Sequence, residues 1–567
     1  MPYRAPVDEF RFHLENLVGF DDVAKTERFA EATSETVDAI LSEAGRIATE
    51  VYAPLQRNGD VEPAKLENGV VRTSPGYADG YRALAEGGWI GLSAPEEHGG
   101  MDLPNTLAIA VNDMLSGACL SLQLCSLLSQ GQIDAIAHHA SQEIADLYLP
   151  KLISGEWSGT MNLTEPQAGS DVGALTTKAT PNGDGTYAVT GQKIFISWGD
   201  ADFLDNVCHL VLARLPDAPA GTKGISLFLV PKYLVTPEGD LGPANTLRVV
   251  SLEHKMGLHG SPTAVMSFEG ATGWLIGGEN KGMAAMFTMM NNARLGVAVQ
   301  GVGVAEAAYQ QALEYATERK QGKAARSGAI IEHADVRRTL MAMKADTHAA
   351  RAIALACAVA VDMSVATGDA DWEARAAFLT PIAKAFGTDV GSEVAHEGVQ
   401  IHGGMGFIEE TGAAQFSRDV RVTAIYEGTN GIQAADLVVR KLMDGGAAAF
   451  NILDEIECNA EDARKDHPEL AQAVWNAAET LRETTEWLLE QETPDARLAG
   501  SVAYLRAFAR VLGGHYHLRA VQADPEGRTT LARFYIQRML PEHHSLLEAV
   551  RVGDADLFDL SPDDLAA

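Results

Sequence analysis

The sequence predicts a mainly α-helical protein with a central β-domain, and three observations support this fold class. The chain has 567 residues, which is too long for one hydrophobic core and indicates several domains. Apolar residues recur at every second position between about residues 158 and 277, as in strands. On both sides of that region they recur with the period of a helix. The predicted segments are an N-terminal arm (1–34), a helical domain (35–157), a β-domain (158–277), a helical bundle (278–446) and an extra helical domain (447–567).

The helices are predicted from their apolar stripes and their end signals. Ser34 is expected to cap a helix that ends at Pro54, because serine is a favoured N-cap and proline stops a helix. Another helix is expected to begin at Thr380-Pro381, with the proline in its first turn. The other predicted helices cover residues 76–87, 104–129, 132–153, 281–319, 331–366, 468–492, 496–522 and 527–551.

The strands are predicted from alternation of apolar and polar residues. The segment 182–185, Asn-Gly-Asp-Gly, is typical of a turn and precedes the first clear strand. The predicted strands cover residues 186–197, 207–214, 225–230, 247–253 and 263–268.

Charge and cysteine content argue against several classes of function. The net charge of −33 opposes binding to nucleic acid or to an anionic membrane surface. The five cysteines lack the spacing of metal ligands, which indicates free thiols in a reducing compartment and no metal site. The first residues do not resemble a signal peptide, and no apolar run approaches about 20 residues. A cytoplasmic protein without a membrane span is therefore expected.

One carboxylate lies in an unusual local context, at Glu427. It follows an apolar pair, Ile425-Tyr426, and precedes a Gly-Thr-Asn turn signal. Asn430 is a plausible N-cap for the next helix, with Gln433 three residues later. A carboxylate held there can be partly desolvated, which raises its pKa and suits a general base. The alternative is an ordinary glutamate on a surface loop.

The segment 426–430, Tyr-Glu-Gly-Thr-Asn, resembles the catalytic loop of the acyl-CoA dehydrogenase family. The resemblance spans roughly residues 35 to 445. It implies a helical N-domain, a β-barrel middle domain and a C-terminal four-helix bundle, followed here by the extra helical domain. It also implies that Glu427 removes the α-proton of an acyl-CoA, with FAD as the hydride acceptor. Some family members take the base from the helix near residues 290–294, where this chain has no carboxylate.

Residues 163–171, LTEPQAGSD, resemble the family's flavin-binding segment. Irregular backbone rich in Gly, Ser and Thr can offer N–H and hydroxyl groups to a flavin and its phosphates. The alternative is an ordinary connection between a helix and a strand. The resemblance assigns FAD contacts here to Met161, Leu163, Thr164, Gly169 and Ser170, the last near the pyrophosphate.

Residues 193–197, KIFIS, resemble the family's K-x-W-I-T/S strand. Phe195 and Ser197 are two residues apart and should face the same side of a strand. The resemblance implies that Phe195 covers the flavin ring and that Ser197 hydrogen-bonds to it. A place in the strand core is the alternative for Phe195.

Two further motifs imply a partner subunit. Arg319 resembles the family's arginine that reaches the FAD pyrophosphate of the neighbouring subunit, a role that suits its forked donors. Residues 400–406, QIHGGMG, resemble the segment that contacts the adenosine half across the dimer interface, with Gln400, Gly403 and Gly404 as contacts. Thr429 would touch the flavin from the catalytic loop. At least a homodimer is therefore expected.

The resemblance also implies a substrate site. Its residues are Ser170, Asn291, Arg294, Glu427 and Gly428, with the Glu427 N–H donating to the thioester carbonyl. The acyl channel would run along residues 120–130, whose side chains are neutral. Reduced FAD would pass its electrons to an electron-transfer flavoprotein.

The long form of the chain resembles the subfamily that oxidises 3-(methylthio)propanoyl-CoA to 3-(methylthio)acryloyl-CoA, a step in dimethylsulfoniopropionate catabolism. A broad medium- or long-chain acyl-CoA dehydrogenase of fatty-acid β-oxidation is the alternative. An acyl-CoA oxidase shares the fold but reacts with oxygen. A DNA-binding relative would need a basic C-terminal face, which the net charge of −33 opposes.

Overall fold

Contacts in the computed structural model, which describes residues 3–323 and 326–567, divide the chain into two units. One unit contains Ser42–Gly296. The other contains Pro6–Leu41 together with Val297–Ala567, so most of the N-terminal arm belongs with the C-terminal half. The five-segment division stays a prediction.

The strands occupy the region where the alternating pattern predicts them, and additional short strands accompany them. They are β1 (Lys65–Glu67), β2 (Val70–Arg72), β3 (Trp157–Asn162), β4 (Lys178–Pro181), β5 (Tyr187–Ser197), β6 (Asn206–Arg214), β7 (Ile225–Pro231), β8 (Tyr233–Val235), β9 (Leu241–Ala244), β10 (Leu247–Leu252) and β11 (Thr263–Ile276).

The β-domain is a closed barrel. Strand β11 pairs with β5, β5 with β4, β4 with β6, β6 with β7, and β7 again with β11. Strands β10 and β3 extend the sheet beside β11 and β6. The barrel core is formed by apolar side chains that include Val189, Ile196, Val211, Phe228 and Met266. The predicted β-barrel is thus confirmed.

The hairpin β1–β2 lies outside the region predicted as β. Its two strands are joined by Asn68 and Gly69, with φ of 51° and 79°. An Asn-Gly pair is the preferred sequence for such a turn, because both residues tolerate positive φ. The dipeptide was therefore a usable signal for this hairpin.

The helices of the first unit pack beside the barrel domain within that unit. They are α4 (Gln56–Val61), α5 (Tyr77–Glu86), α6 (Asn105–His139) and α7 (Gln142–Ile153), with part of α3 (Ser34–Ile47). The backbone of α6 is non-helical at Cys119, with φ of −157° and ψ of 88°.

The second unit is helical. Its arm contains α1 (Val7–Asn16) and α2 (Phe20–Ala24), and its bundle contains α8 (Gly282–Glu318, from Val297 onward), α9 (Ala334–Thr367), α10 (Ala370–His402), α11 (Ala413–Val420) and α12 (Asn430–Asp436). The extra domain contains α13 (Ala447–Ala463), α14 (Pro468–Glu490), α15 (Pro494–Ala499), α16 (Ser501–Ala523), α17 (Pro525–Arg538), α18 (Glu542–Val552) and α19 (Pro562–Ala566).

The arm and the extra domain are joined to the bundle by buried and half-buried charges. Arg528 of α17 donates to both carboxylate oxygens of Glu9 at 2.9 Å, and its guanidinium lies 4.0 Å from the Phe12 ring centroid. Arg510 of α16 hydrogen-bonds to Asp346 of α9 and donates to Glu542 of α18 at 2.5 Å. The extra domain is therefore part of the same compact unit.

Two predicted helix starts were wrong. The helix expected to begin at Thr380-Pro381 begins at Ala370, where the Asp369 side chain accepts from the Asp371 N–H at 2.9 Å. Pro381 lies buried in the interior of α10, so tertiary packing outweighs its preference for a first turn. The side-chain acceptor at the start of α3 is Thr33, which accepts from the Thr36 N–H at 3.2 Å, rather than Ser34.

Helices α6 and α9 are long and apolar enough to cross a membrane by composition alone, contrary to the expectation from the sequence. Their most apolar stretches are buried in the fold to 100% and 78%, which is the usual situation of core helices in a folded domain.

Candidate active site

The predicted flavin-binding segment leaves the barrel directly after β3. The Thr164 carbonyl accepts from the Ile194 N–H at 3.0 Å, and Glu165 and Ala168 exchange backbone hydrogen bonds of 3.1 and 2.9 Å. The first of these bonds holds the segment against β5, just before Phe195, and the other two close a turn within the segment. The structure thus brings Thr164 and Phe195 together, as the two separate motifs imply.

A buried ion pair anchors this segment, and sequence reasoning missed it. Lys193 Nζ donates to Glu165 Oε1 at 2.9 Å and to the Leu163 carbonyl at 2.9 Å. Glu165 also accepts from the N–H and hydroxyl groups of Thr176 and Thr177, at 2.6 to 3.0 Å. Both charged side chains are almost fully buried. The pair therefore joins two chain segments that each carry proposed flavin contacts.

The charges of this pair perturb both pKa values. Burial would raise the pKa of Glu165, but the Lys193 charge and the donors from Thr177 and Thr176 outweigh it and lower this pKa to about 2. Burial lowers the pKa of Lys193 to about 8, against the opposing effect of Glu165. At neutral pH both groups are ionised, so the pair is intact.

Phe195 lies on an irregular part of β5. The register with β11 shifts between Lys193 and Ile196, which is a β-bulge, and Phe195 has φ of 61°. Its side chain is 59% exposed, whereas the neighbouring Ile196 is buried in the barrel core. A place in the strand core is therefore wrong for Phe195. A bulge commonly redirects a side chain at a binding site.

The residues of this region fit a flavin. Phe195 offers an exposed aromatic face, and Ser197 and Thr164 offer half-buried hydroxyls. Gly169 and Ser170 are exposed, and a Cβ added at Gly169 would meet no atom of the described residues within 4 Å, so the backbone there is accessible. A flavin ring requires an apolar surface to pack against, and its polar edge and its pyrophosphate require hydroxyl and backbone N–H donors. Met161 is buried and Leu163 is half-buried in the same stretch of chain.

Two of the residues predicted for the substrate site, Asn291 and Arg294, differ in exposure. Asn291 is exposed, whereas Arg294 is buried with its guanidinium carbon 5.9 Å from the Phe287 ring centroid. Between them, Asn292 donates a hydrogen bond to Asp134 of α6. Burial raises the pKa of Asp134 to about 6, against the hydrogen bond from Asn292.

The predicted acyl channel lies along α6, and its wall is buried and neutral. Leu122, Cys125, Ser126 and Leu127 are all almost fully buried. A chain of buried amides accompanies them, in which Gln123 donates to Asn112 at 3.2 Å and Asn112 donates to Gln130 at 2.9 Å. These amides satisfy one another and add no charge to the wall.

In the second unit, the catalytic loop has an unusual backbone. Glu427 has φ of 55° and Gly428 has φ of 83°, so two successive residues are left-handed. Glycine adopts this conformation readily, whereas a glutamate does so rarely. Tyr426 precedes them with its hydroxyl hydrogen-bonded to Gln300 of α8. Burial, and then the charge of Glu427, raise the pKa of this tyrosine.

The N-cap predicted at Asn430 was wrong. Thr429 caps α12 instead, because its hydroxyl accepts from the Ile432 N–H at 3.3 Å. The Asn430 side chain points to α10, where it bonds to Lys384 and Asp389. Gln433 is buried and donates to the Glu427 carbonyl at 3.2 Å. The loop is thus fixed from its own helix and from α10.

The helix after the loop does not bury all of its apolar side chains. Ile432 is 43% exposed, whereas Ala434, Leu437 and Val438 are buried. Residues 437–441, directly after α12, form a π-helical turn. This turn rotates the side chains that follow relative to the direction that a continuous α-helix would give them.

A cleft of about 470 Å³ lies beside the loop in the second unit. It is lined by Asp389, Ser392, Glu393, Arg421, Ala424, Ile425, Thr429, Asn430 and Gly431. Thr429, the predicted flavin contact, is therefore at an accessible surface. Arg421 supplies a cation in this cleft, and Asp389 and Glu393 supply acceptors for hydroxyl groups.

The residues predicted to serve a partner subunit are all exposed. Arg319 directly follows α8, and its carbonyl accepts from the Ile330 N–H at 2.8 Å. Gln400 is in the last turn of α10, and Gly403 and Gly404 follow it with open space around each. His402, which lies between Gln400 and Gly403, is buried and stacks on Tyr315 with ring centroids 4.3 Å apart.

Among the described residues, Glu9, His13 and His348 form a group with the spacing of metal ligands. Arg528 already donates to both carboxylate oxygens of Glu9 at 2.9 Å. A second cation, the guanidinium of Arg351, lies 4.9 Å from the ring centroid of Phe10, the residue next to Glu9 in α1. Burial lowers the pKa of His13 to about 4. The cationic surroundings do not suit a metal ion.

Comparison with known proteins places the whole chain in one family. Models of the N-terminal, middle and C-terminal domains of acyl-CoA dehydrogenase match residues 34–156, 160–271 and 280–442. A model described as acetyl-CoA dehydrogenase C-terminal like matches residues 452–561, within the extra domain.

Individual relatives agree with this result. The 3-methylmercaptopropionyl-CoA dehydrogenase of Ruegeria pomeroyi is 44% identical, covering 93% of this chain and 92% of the relative. A broad-specificity linear acyl-CoA dehydrogenase of Mycobacterium tuberculosis is 30% identical over 98% of this chain and 99% of its own. The Caenorhabditis elegans ACDH-11 structure in complex with C11-CoA superposes with a TM-score of 0.82 at 20% identity, covering 99% and 96% of the chains. The protein therefore belongs to the acyl-CoA dehydrogenase family and is an FAD-dependent acyl-CoA dehydrogenase.

Proposed function

We propose that the substrate is 3-(methylthio)propanoyl-CoA and that the product is 3-(methylthio)acryloyl-CoA. The observation that carries this choice is the 44% identity, over 93% of the chain, with a dehydrogenase named for that substrate. The broad-specificity relative, 30% identical over 98% of the chain, favours a wider acyl range as the second candidate.

The neutral wall of α6 supports this substrate class. A dicarboxylyl substrate would place an unpaired carboxylate among Leu122, Cys125 and Leu127, which costs several kcal/mol. A thioether chain avoids that cost, because sulfur resembles a methylene in shape and polarity. The neutral wall thus supports a neutral acyl chain, and the similarity to the named relative supports the thioether within that class.

In the proposed mechanism, Glu427 removes the α-proton of the thioester. The carbonyl oxygen gains negative charge as the proton leaves, and the Glu427 N–H is the proposed donor that stabilises it. Glu427 has a positive φ, and sparsely populated backbone conformations of this kind cluster at active sites. Bound FAD supplies the acceptor for the β-hydride. Asn291 and Arg294 are proposed to bind the CoA moiety, and Ser170 and Gly428 are proposed as further substrate contacts.

The substrate is tested by comparing kcat/KM for four thioesters with an artificial electron acceptor. We expect 3-(methylthio)propanoyl-CoA and butanoyl-CoA to react at rates within about 10- to 200-fold, because one buried methylene contributes only about 1–3 kcal/mol. Octanoyl- and palmitoyl-CoA should react more slowly. A clear preference for palmitoyl-CoA would leave only the broad acyl-CoA dehydrogenase.

We further propose a cytoplasmic enzyme whose electron acceptor is an electron-transfer flavoprotein. If so, turnover with that acceptor should far exceed turnover in air. Stoichiometric hydrogen peroxide in air would instead identify an acyl-CoA oxidase.

A homodimer is proposed because an apolar surface of the second unit is exposed beside the predicted FAD-contacting segment. Phe407, three residues after Gly404, is 85% exposed, and Met405 and Ile408 are about half exposed. Exposed apolar groups of this size, next to one another, are typical of an interface between subunits.

Phe407→Asp should therefore convert the protein to a monomer with less bound FAD, because burying a new carboxylate at an interface is unfavourable. Phe558→Asp is the matched control, since Phe558 is also exposed and lies in the C-terminal segment after α18. Light scattering measures the mass and absorbance measures the flavin. A wild-type mass for Phe407→Asp, or an equal effect of Phe558→Asp, contradicts the proposed interface.

A further inference from the structure

A buried ammonium group lies beneath the loop that carries Glu427. Lys384 of α10 is fully buried. Its Nζ donates to the Gly428 carbonyl at 2.9 Å and to Asn430 Oδ1 at 2.9 Å. Both acceptors follow Glu427 within three residues, so one cation fixes two points of the loop. Lysine is seldom fully buried unless it has such partners.

Asn430 extends this contact to a carboxylate. Its Nδ2 donates to Asp389 Oδ1 at 2.7 Å, while its oxygen accepts from Lys384. The negative end of the amide dipole thus faces the Lys384 ammonium, and the positive end faces the Asp389 carboxylate. We call Lys384, Asn430 and Asp389 the loop clamp. The other charged groups around it are Glu393 and Arg421, which line the same cleft, and Arg506 of α16, which bonds to Glu393 at 2.5 Å.

The loop requires restraint because its backbone is not one that the residues prefer. Glu427 is left-handed with φ of 55°, and such a conformation persists only where the surroundings enforce it. Rotation of the Gly428 carbonyl is coupled to the peptide planes on either side. A donor fixed on that oxygen therefore holds the turn that presents Glu427.

We infer that Lys384 is a positioning residue for the dehydrogenation, acting through the Gly428 carbonyl and Asn430 to hold Glu427 in its reactive orientation. The inference rests on the proposed role of Glu427 as the base. Two physical effects follow from it. Loss of the clamp displaces the base, and a displacement of about 1 Å can cost about 100-fold in rate. Loss of the cation also removes a charge that favours an ionised carboxylate nearby.

The test compares Lys384→Met with Lys384→Arg in the FAD-loaded enzyme. Methionine keeps an unbranched side chain, one atom shorter than that of lysine, but removes the charge and the donors, whereas arginine retains both. The rate of flavin reduction by saturating butanoyl-CoA is measured against pH, together with KM and FAD content. For Lys384→Met we expect a rate about 100-fold lower, unchanged FAD content and an acid limb shifted to higher pH. For Lys384→Arg we expect the acid limb to return toward the wild-type position.

A purely structural role would instead lower thermal stability and FAD content without moving the pH profile. An unchanged rate and profile in FAD-loaded Lys384→Met overturns the inference, as does an equal pH shift in Lys384→Arg. If Lys384→Met does not fold, Asn430→Ala decides, because it keeps the cation and its bond to the Gly428 carbonyl but removes its second acceptor and the bond to Asp389. That variant should be several-fold slower, and a wild-type rate overturns the inference.

Glu427→Gln in the same assay separates this inference from the proposed function. A near-normal rate in Glu427→Gln refutes the base assignment. A lost rate in Glu427→Gln, beside a normal rate in Lys384→Met, refutes only the positioning role.

Discussion

Glu427→Gln is expected to lower kcat by about 10⁴-fold, the upper range for loss of a general base. The amide has nearly the same shape as the carboxylate but cannot accept the α-proton. Several contacts of the loop use other groups, namely the carbonyls of Glu427 and Gly428 and the side chains of Thr429 and Asn430. The fold, the proposed dimer and the bound FAD should therefore persist. The measurement is steady-state turnover at equal flavin content.

Glu31→Gln is the matched control for this variant, since it makes the same change on an exposed side chain of the arm. Its turnover should equal that of the wild type. Substrate binding gives a second comparison, because KM for Glu427→Gln should change far less than kcat. A Glu427→Gln enzyme that retains most of its kcat would show that another group removes the proton.

The elements with a regular pattern could be predicted from sequence, because their periodicity is local. Strand β5 and the long helix α8 lie within two residues of their predicted bounds. The two ends of the flavin contact were also predictable, since residues 163–171 and 193–197 each carry a recognisable motif. What could not be predicted is the pair that joins them: Glu165 and Lys193 are 28 residues apart, and no spacing rule relates them.

The catalytic loop shows the same limit. Thr429 and Asn430 are both good N-caps, so the local sequence does not choose between them. The choice depends on Lys384 and Asp389, which lie more than 40 residues earlier on α10 and draw the Asn430 side chain away. The bulge at Phe195 is likewise a consequence of pairing with β11. Errors in the prediction thus concentrate where distant charges or partner strands override local preference.

The second large effect is expected from Lys193→Met, which leaves Glu165 buried without its cation. Removing one partner of a buried ion pair typically costs about 3–5 kcal/mol. Because Lys193 also holds the Leu163 carbonyl, the loss should loosen the predicted flavin-binding segment. We expect FAD to be released at a markedly lower temperature than in the wild type. The release is measured by flavin fluorescence during heating.

A double substitution separates the effect of the ion pair from the effect of leaving one of its charges buried without a partner. Glu165→Gln alone leaves the Lys193 ammonium buried without its carboxylate, whereas Glu165→Gln with Lys193→Met removes both charges and should recover part of the lost stability.

The effect of Lys193→Met should also depend on pH. The wild-type pKa of Glu165 lies below its unfolded value, so its stabilisation is complete above about pH 4.5 and is lost as the pH falls toward 2. The difference between wild type and Lys193→Met should therefore shrink across that interval. Release of FAD at the wild-type temperature in Lys193→Met at neutral pH would mean that the four threonine donors hold Glu165 and its segment without the cation.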